Sequence, residues 1–214
     1  REWAELVYTY DYAVGKSDVI YNQHFRTDDS YDLNRLNLLA VLDKNGEILF
    51  EKHYRYKEKK TIVPKEDISD IYDRFAQAVT ARLTEMENNG DGGSLENGAG
   101  VSGFVGRGED VYFISAYPII DARGERAAAG TFLFGRLIDD EEIEEMTKGS
   151  GVNFSVLYDS CSLLDARETA SLKEQRRLMH VEGDDAIAYS AAEDVFGEPR
   201  TFVSVSNSRT LHAP

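Results

Sequence analysis

The chain is 214 residues long, with 39 acidic and 24 basic side chains and a formal charge of −15. That balance excludes nucleic acid and anionic membrane surfaces as partners, because both need a basic patch. A single cysteine, Cys161, excludes an internal disulfide framework and a cysteine-based zinc site, and no apolar run approaches the ~18 residues of a membrane span.

Trp3, Leu6, Val7, Tyr10 and Val14 recur at spacings of three and four, which predicts a long N-terminal helix with one apolar face. No capping residue precedes it, so the expected setting is a piece excised from a longer chain, with a processed N-terminus as the alternative. The polar stretch Arg26-Thr27-Asp28-Asp29-Ser30 reads as loop. Residues 36–42 are a near-continuous apolar strand, closed by Asp43-Lys44-Asn45-Gly46, and residues 47–54 return from it. Asn-Gly supplies the positive φ that a tight hairpin requires.

From about Lys65 to Asn88 the stripe Ile68, Ile71, Tyr72, Phe75, Val79, Leu83 and Met86 predicts a helix that stops at Asn88-Asn89-Gly90. A glycine-rich segment, 90–103, reads as a mobile loop. Strands are expected at 103–106, 111–117 and 130–135, with a turn at Asp121-Ala122-Arg123-Gly124. Asp139 is placed to cap a short helix reaching Met146, whose first turn carries Asp140, Glu141 and Glu142. Beyond Gly151 the pattern gives a strand at 154–158, a helix at about 167–179, and strands at 186–189 and 200–205.

Strand, strand, helix and three strands over residues 36–137 describe a five-stranded antiparallel sheet with a helical face, hence the α+β class and a PAS-like sheet. The expected division is an N-terminal helix and connector at 1–35, a PAS-like core at 36–147, and a smaller α+β extension at 148–214.

Gly98-Ala99-Gly100-Val101-Ser102-Gly103 has dinucleotide-loop spacing, but it follows a helix and precedes a strand, the reverse of what phosphate binding needs. His24, His53, His180 and His212 form no pair at metal-ligand spacing. A haem or metal role for His53 is the sharper reading, and a surface histidine at a strand edge the plainer one. Asp43-Lys44-Asn45-Gly46 lacks the third carboxylate and distant glutamate of a calcium loop. Ser102 lacks the neighbours of a nucleophile elbow, and the carboxylates show no acid–base pairing. The Asn153-Phe154-Ser155 sequon stands alone. No catalytic residue, metal or cofactor is assigned.

A sheet faced by a helix can enclose a pocket with aromatic walls and a few polar groups. Strand alternation puts Phe113, Ser115 and Tyr117 on one face, and Phe132, Phe134 and Arg136 on one face. The candidate ligand-binding residues are Tyr54, Arg107, Ser115, Tyr117, Phe134 and Arg136. Arg136 has the chemistry to grip a carboxylate or phosphate. The alternative for it is a salt bridge to Asp139 or Asp140 at the strand–helix junction.

Several segments, in order, resemble the fourth class of CHASE domains, relatives of Cache and PAS-like sensors. They are Asp11-Tyr12-Ala13, Leu36-Asn37 through Asp43-Lys44-Asn45-Gly46-Glu47, Pro118-Ile119-Ile120, and the stretch from Gly130-Thr131 through Gly135-Arg136 to Asp139. The sequence departs from the family at Gly15, Lys16, Ser17 and Val19, where Trp, paired Asp and Tyr are usual. The resemblance implies an extracytoplasmic ligand-sensing domain held by flanking membrane helices. Its signal would pass to a histidine kinase, diguanylate cyclase or chemoreceptor module. It also implies a small-molecule ligand, with residues 148–214 nearest the membrane, while the apolar stripe of Trp3, Leu6, Val7, Tyr10 and Val14 suggests a homodimer through the N-terminal helix. A haem- or metal-dependent sensor or small enzyme on the same sheet, and a structural spacer without a ligand, are the competing readings.

Overall fold

The computed structural model describes residues 7–16, 27–63, 67–89, 99–107, 110–121, 127–148, 152–158, 164–182 and 185–208. The first sheet has six strands: β1 (Leu38–Asp43), β2 (Ile48–Arg55), β3 (Lys60–Ile62), β4 (Val101–Arg107), β5 (Asp110–Ile119) and β6 (Gly130–Leu137). Their spatial order is β3-β2-β1-β6-β5-β4. The α+β class and the antiparallel, PAS-like arrangement expected from sequence are found, with one strand more than the five predicted. The extra edge strand, β3, has three residues that pair His53↔Ile62, Tyr54↔Thr61 and Arg55↔Lys60. So short a segment, among lysines, carries no alternation signal.

The chain packs as two compact units, residues 1–103 with 113–136, and residues 104–112 with 137–214.

In the first unit, β1 is central, paired to β2 and β6, and residues 38–42 are buried on both faces. This accounts for its unbroken apolar run. The β1–β2 turn is held by the Asp43 carboxylate, whose Oδ1 accepts from the amides of Asn45 (2.8 Å) and Glu47 (2.9 Å). Gly46 takes φ +87, and the ladder shifts by one residue at Val41/Leu42. Such a turn ends in a bulge that needs a residue at positive φ.

Among the described residues, two short helices and one long helix accompany this sheet. Helix α1 (Val7–Ala13) ends at Gly15, φ +74, where the Gly15 and Lys16 amides bond the Tyr12 and Asp11 carbonyls. That closure satisfies the last carbonyls and stops the helix. Val14, placed on the apolar stripe by its spacing, is accordingly outside the helix and 41% exposed. Only these seven residues of the predicted long N-terminal helix are described as helical; Trp3 and Leu6 lie outside the described residues.

Helix α2 (Asp28–Asn34) overturns the expected loop over 28–30, with Thr27 before it and Arg26 outside the described residues. Asp28 and Asp29 favour its positive end, and Tyr31, fully buried, anchors it. Arg35 closes it in the left-handed conformation, φ 52, with Leu36 N–H donating to Tyr31 O. Helix α3 (Ser69–Asn88) buries Ile71, Tyr72, Phe75 and Val79, as the stripe predicts, while Leu83 and Met86 are only half-buried. Its predicted first residues, 65 and 66, lie outside the described set, as do 90–98 of the glycine-rich segment. Val101–Gly103, expected in a mobile loop, are strand.

In the second unit, Asp139 caps α4 (Asp140–Thr147) by accepting from Glu142 N–H at 2.8 Å, as predicted. Strands β7 (Asn153–Tyr158), β8 (Arg177–Glu182), β9 (Asp185–Ala192) and β10 (Thr201–Ser208) form a sheet in the order β7-β10-β9-β8. Helix α5 (Ala166–Gln175) starts with a capping box between Asp165 and Glu168. Its last residue is Gln175, capped by Arg176 at φ 67 and four residues before the predicted Met179, which instead lies in β8. Leu172, Tyr189, Ala191 and Phe202 form this unit's core.

Candidate functional site

Alternation along the strands of the first unit sorts side chains onto two faces. Leu39, Val41, Phe50, Tyr54, Ile119 and Phe132 share a core with Tyr10 of α1 and Tyr31 of α2, and Tyr117 and Phe134 pack at its margin. Five of the six candidate residues, Tyr54, Ser115, Tyr117, Phe134 and Arg136, belong to this unit; Arg107 belongs to the second.

Tyr117 and Phe134 stack with ring planes 8° apart and centroids at 6.1 Å, and Phe132 tilts against Phe134 at 6.3 Å. Ser115 accepts from the Ser102 hydroxyl at 2.8 Å. Phe113, two residues before Ser115, leaves 39% of its surface to solvent. An aromatic surface with adjacent hydroxyls therefore lies along β5 and β6. Gly100 passes so close to the Tyr117 ring that a Cβ there would overlap it.

Arg136 is directed at α2. Its Nε donates to Arg35 O (3.2 Å) and a terminal nitrogen to Asn34 O (3.4 Å), the carbonyls at the negative end of that helix. Neither the anion grip nor the Asp139/Asp140 salt bridge anticipated these bonds, which depend on a helix read from sequence as loop.

Tyr54 is buried, and its hydroxyl donates to Asp32 Oδ1 at 3.2 Å. Its strand position is fixed by Asn37, whose carbonyl accepts from Tyr54 N–H and whose amide donates to Tyr54 O at 3.0 Å. Burial first, then the Asp32 hydrogen bond and the Asp28, Asp32 and Asp29 carboxylates, push the Tyr54 phenol up to about 12. Tyr31, 5.2 Å from it, is likewise raised by burial and by Asp28. Lys52 reaches between them: its ammonium is 4.5 Å from the Tyr31 centroid, 5.1 Å from the Tyr54 centroid, and 2.6 Å from Asp28 Oδ1. None of Asp28, Tyr31, Asp32 or Lys52 stands out in the sequence. They become neighbours only through the helix read there as loop.

The opposite face of β2 carries a second polar group. His53 is 3% exposed, so the surface-histidine reading is wrong. Its Nε2 lies 2.8 Å from Glu51 Oε1 and 3.1 Å from Tyr72 Oη, and Tyr72 donates to the same Glu51 oxygen at 2.7 Å. With the phenol proton directed at Glu51, the Tyr72 oxygen accepts, and the network assigns the imidazole proton to Nε2. The Glu51 carboxyl is held below its usual range, chiefly by the His53 hydrogen bond and also by Tyr72, against an opposing contribution from burial. Among the described residues, no three His, Cys, Asp or Glu side chains come together as metal ligands. His24, His212 and Cys161 lie outside them.

Comparison with known proteins adds the following. The family model described as the CHASE4 domain matches residues 1–157. A curated relative, the methanogenesis regulatory histidine kinase FilI of Methanothrix harundinacea, is 18% identical over 215 residues. That match takes in 100% of this chain and only 22% of FilI. The periplasmic domain of Vibrio cholerae LuxQ superposes with a TM-score of 0.57 at 11% identity, covering 97% of this chain and 88% of that one. The extracellular domain of the histidine kinase vpHK1S-Z8 gives 0.53 at 14% identity, covering 100% and 86%. At these identities the two structures bear on the fold alone. No helix among the described residues is long and apolar enough to cross a membrane.

Proposed function

The chain belongs to the CHASE4 family, and from that premise we propose that it is the extracytoplasmic ligand-sensing domain of a membrane-bound prokaryotic signalling protein. A small molecule binds the first unit and shifts the population of two domain conformations, and a cytoplasmic module reads the shift. The domain performs no chemistry of its own. A histidine kinase is the favoured output, because the curated relative is one and this chain spans about a fifth of its length. Flanking segments tie the domain to the membrane, and two copies associate through the N-terminal helix.

The observation that carries the reading is the Phe113–Ser115–Tyr117–Phe134 face of β5 and β6, where Tyr117 and Phe134 stack at the margin of the core, Phe113 is 39% exposed and the Ser115 hydroxyl is buried beside them. Ligand sites combine these two kinds of group. The test is a thermal-shift scan of the 214-residue chain against amino acids, carboxylates, sugars, amines and nucleotides. A ligand at a hundred times its Kd stabilises by about 2.7 kcal/mol, well within detection. Saturable stabilisation by one class that Tyr117→Ala removes supports the reading. A silent panel counts against it.

One observation favours the spacer reading: Arg136 is engaged with α2. A spacer would ignore every ligand in the panel.

A further inference from the structure

The three-way contact of Lys52 has the form of an occupied cation site. Its ammonium lies within cation–π range of two tyrosine rings and donates to a carboxylate at 2.6 Å. The lysine side chain is 11% exposed, whereas Asp28, the anion it meets, is 54% exposed and so open to water. Within the same cluster Tyr31 is fully buried, and among the described residues its hydroxyl has no hydrogen-bond partner. A buried polar atom left unsatisfied by the protein marks a place where another molecule can supply the bond. Asp32 adds a second carboxylate, accepting from Tyr54 and lying 3.5 Å from Lys59. Both phenols are displaced upward, first by burial and then by the Asp28 carboxylate and its neighbours. Arg136, which an anionic ligand on this face would need, is directed at the α2 carbonyls. The chemistry gathered at this end of the face is aromatic and anionic, and it suits a cation.

We propose that the box formed by Tyr31, Tyr54 and Asp28 is a binding site for a small primary alkylamine, filled in this state by the chain's own Lys52, whose place the ligand's ammonium takes. The proposal names a ligand class for the sensing unit and rests on the reading of that unit as a ligand-binding one. Lys52 is a tethered competitor, present at an effective concentration on the order of millimolar or more. An external amine therefore binds the native chain more weakly than it binds a chain lacking Lys52. Displacing the lysine also transfers Asp28 from Lys52 to the ligand, and so removes one of the contacts that hold α2 to β2.

The probe is n-butylammonium chloride, which reproduces the lysine stem and head, with n-butanol and sodium chloride as controls. In Lys52→Ala, n-butylammonium should raise the melting temperature saturably and n-butanol should not. The wild-type chain should show the same saturable response with a midpoint at least tenfold higher, and Asp28→Asn should abolish it. Two results overturn the proposal. One is equal stabilisation of Lys52→Ala by butanol, which means an apolar cavity. The other is a wild-type chain silent at a hundred times the Lys52→Ala midpoint, which makes Lys52 a fixed structural latch. Should Lys52→Ala fail to fold, the wild type against Asp28→Asn decides alone: a saturable response lost in the variant supports the site, and no response removes it. A different ligand class that stabilises the wild type while butylammonium stays silent would overturn the amine site and leave the sensor reading standing.

Discussion

Replacing Tyr72 by Phe tests the polar group that fastens α3 to β2. The substitution keeps the ring and removes one hydroxyl, which donates to Glu51 at 2.7 Å and lies 3.1 Å from His53 Nε2. A hydrogen bond to a charged acceptor contributes about 1.5–3 kcal/mol. Glu51 is about one-third exposed, so water replaces part of the lost bond, and the expected cost is about 1–2 kcal/mol. For a chain of this size that is a fall in Tm of about 2–8 °C. The effect depends on pH in a direction the structure fixes. Glu51 has its pKa lowered in the folded state, so its stabilisation is fully present above the ordinary carboxylate pKa, ~4.3, and is lost as pH falls through the folded value. The gap between wild type and Tyr72→Phe, measured by thermal melts, should be widest near pH 7 and narrow below pH ~4. An unchanged Tm at pH 7, or a gap that is the same at pH 3 and pH 7, would refute the assigned network.

Two sets of substitutions probe the backbone. Gly130→Ala should destabilise more than Gly100→Ala, as read by urea melts: the new Cβ meets the main-chain oxygen of Leu42 in one case and the movable Tyr117 ring in the other. Overpacking costs about 1–3 kcal/mol where side chains can shift, and more where backbone must. Asp194→Ala should cost about 2 kcal/mol and Asp43→Ala about 1, by the same assay. Both carboxylates cap a turn, but Asp194 is buried and also accepts from Tyr158, so its removal takes away one hydrogen bond more. Equal losses at the two aspartates would refute that comparison.

Much of the fold is legible because local and tertiary preferences agree. Val41 and its neighbours are apolar without a break since β1 is covered on both faces, and the α3 stripe is buried from Ile71 to Val79. The Asp43 turn is readable from Gly46. The same pattern, Asp-x-x-Gly-Glu, recurs at Asp194–Glu198, where Asp194 Oδ1 accepts from Phe196 and Glu198 and Gly197 takes φ +80. A repeated turn signature was available there. What the sequence hides is short or conditional structure. Asp28–Asn34 has no helical stripe, because a seven-residue helix needs only one buried anchor, Tyr31. Arg176 ends α5 without glycine or proline, so the helical pattern runs on into β8. The candidate site follows the same division. The faces of β5 and β6 come directly from alternation, whereas the partners of Tyr54 and Arg136 depend on α2.

A helix of seven residues is too short to persist by itself, so α2 exists through its attachments. They include Tyr31 in the core, Asp28 on Lys52, Asp32 on Tyr54 and Lys59, and the terminal carbonyls on Arg136. The last must also offset the strain of Arg35, held at φ 52 without being glycine, a conformation that costs about 1–2 kcal/mol. Arg136→Ala removes a charged donor from two partly solvated carbonyls, a loss of about 1 kcal/mol that falls on α2 and not on the sheet. Hydrogen exchange reads this directly at the Arg35 and Leu36 amides, whose bonds to Asp32 O and Tyr31 O close the helix. Their protection should fall about fivefold, while the α3 amides, which depend on the opposite face of β2, stay as in the wild type. Equal loss of protection in α2 and α3 would mean that Arg136 supports the whole unit, and would end the view of α2 as a separately anchored element.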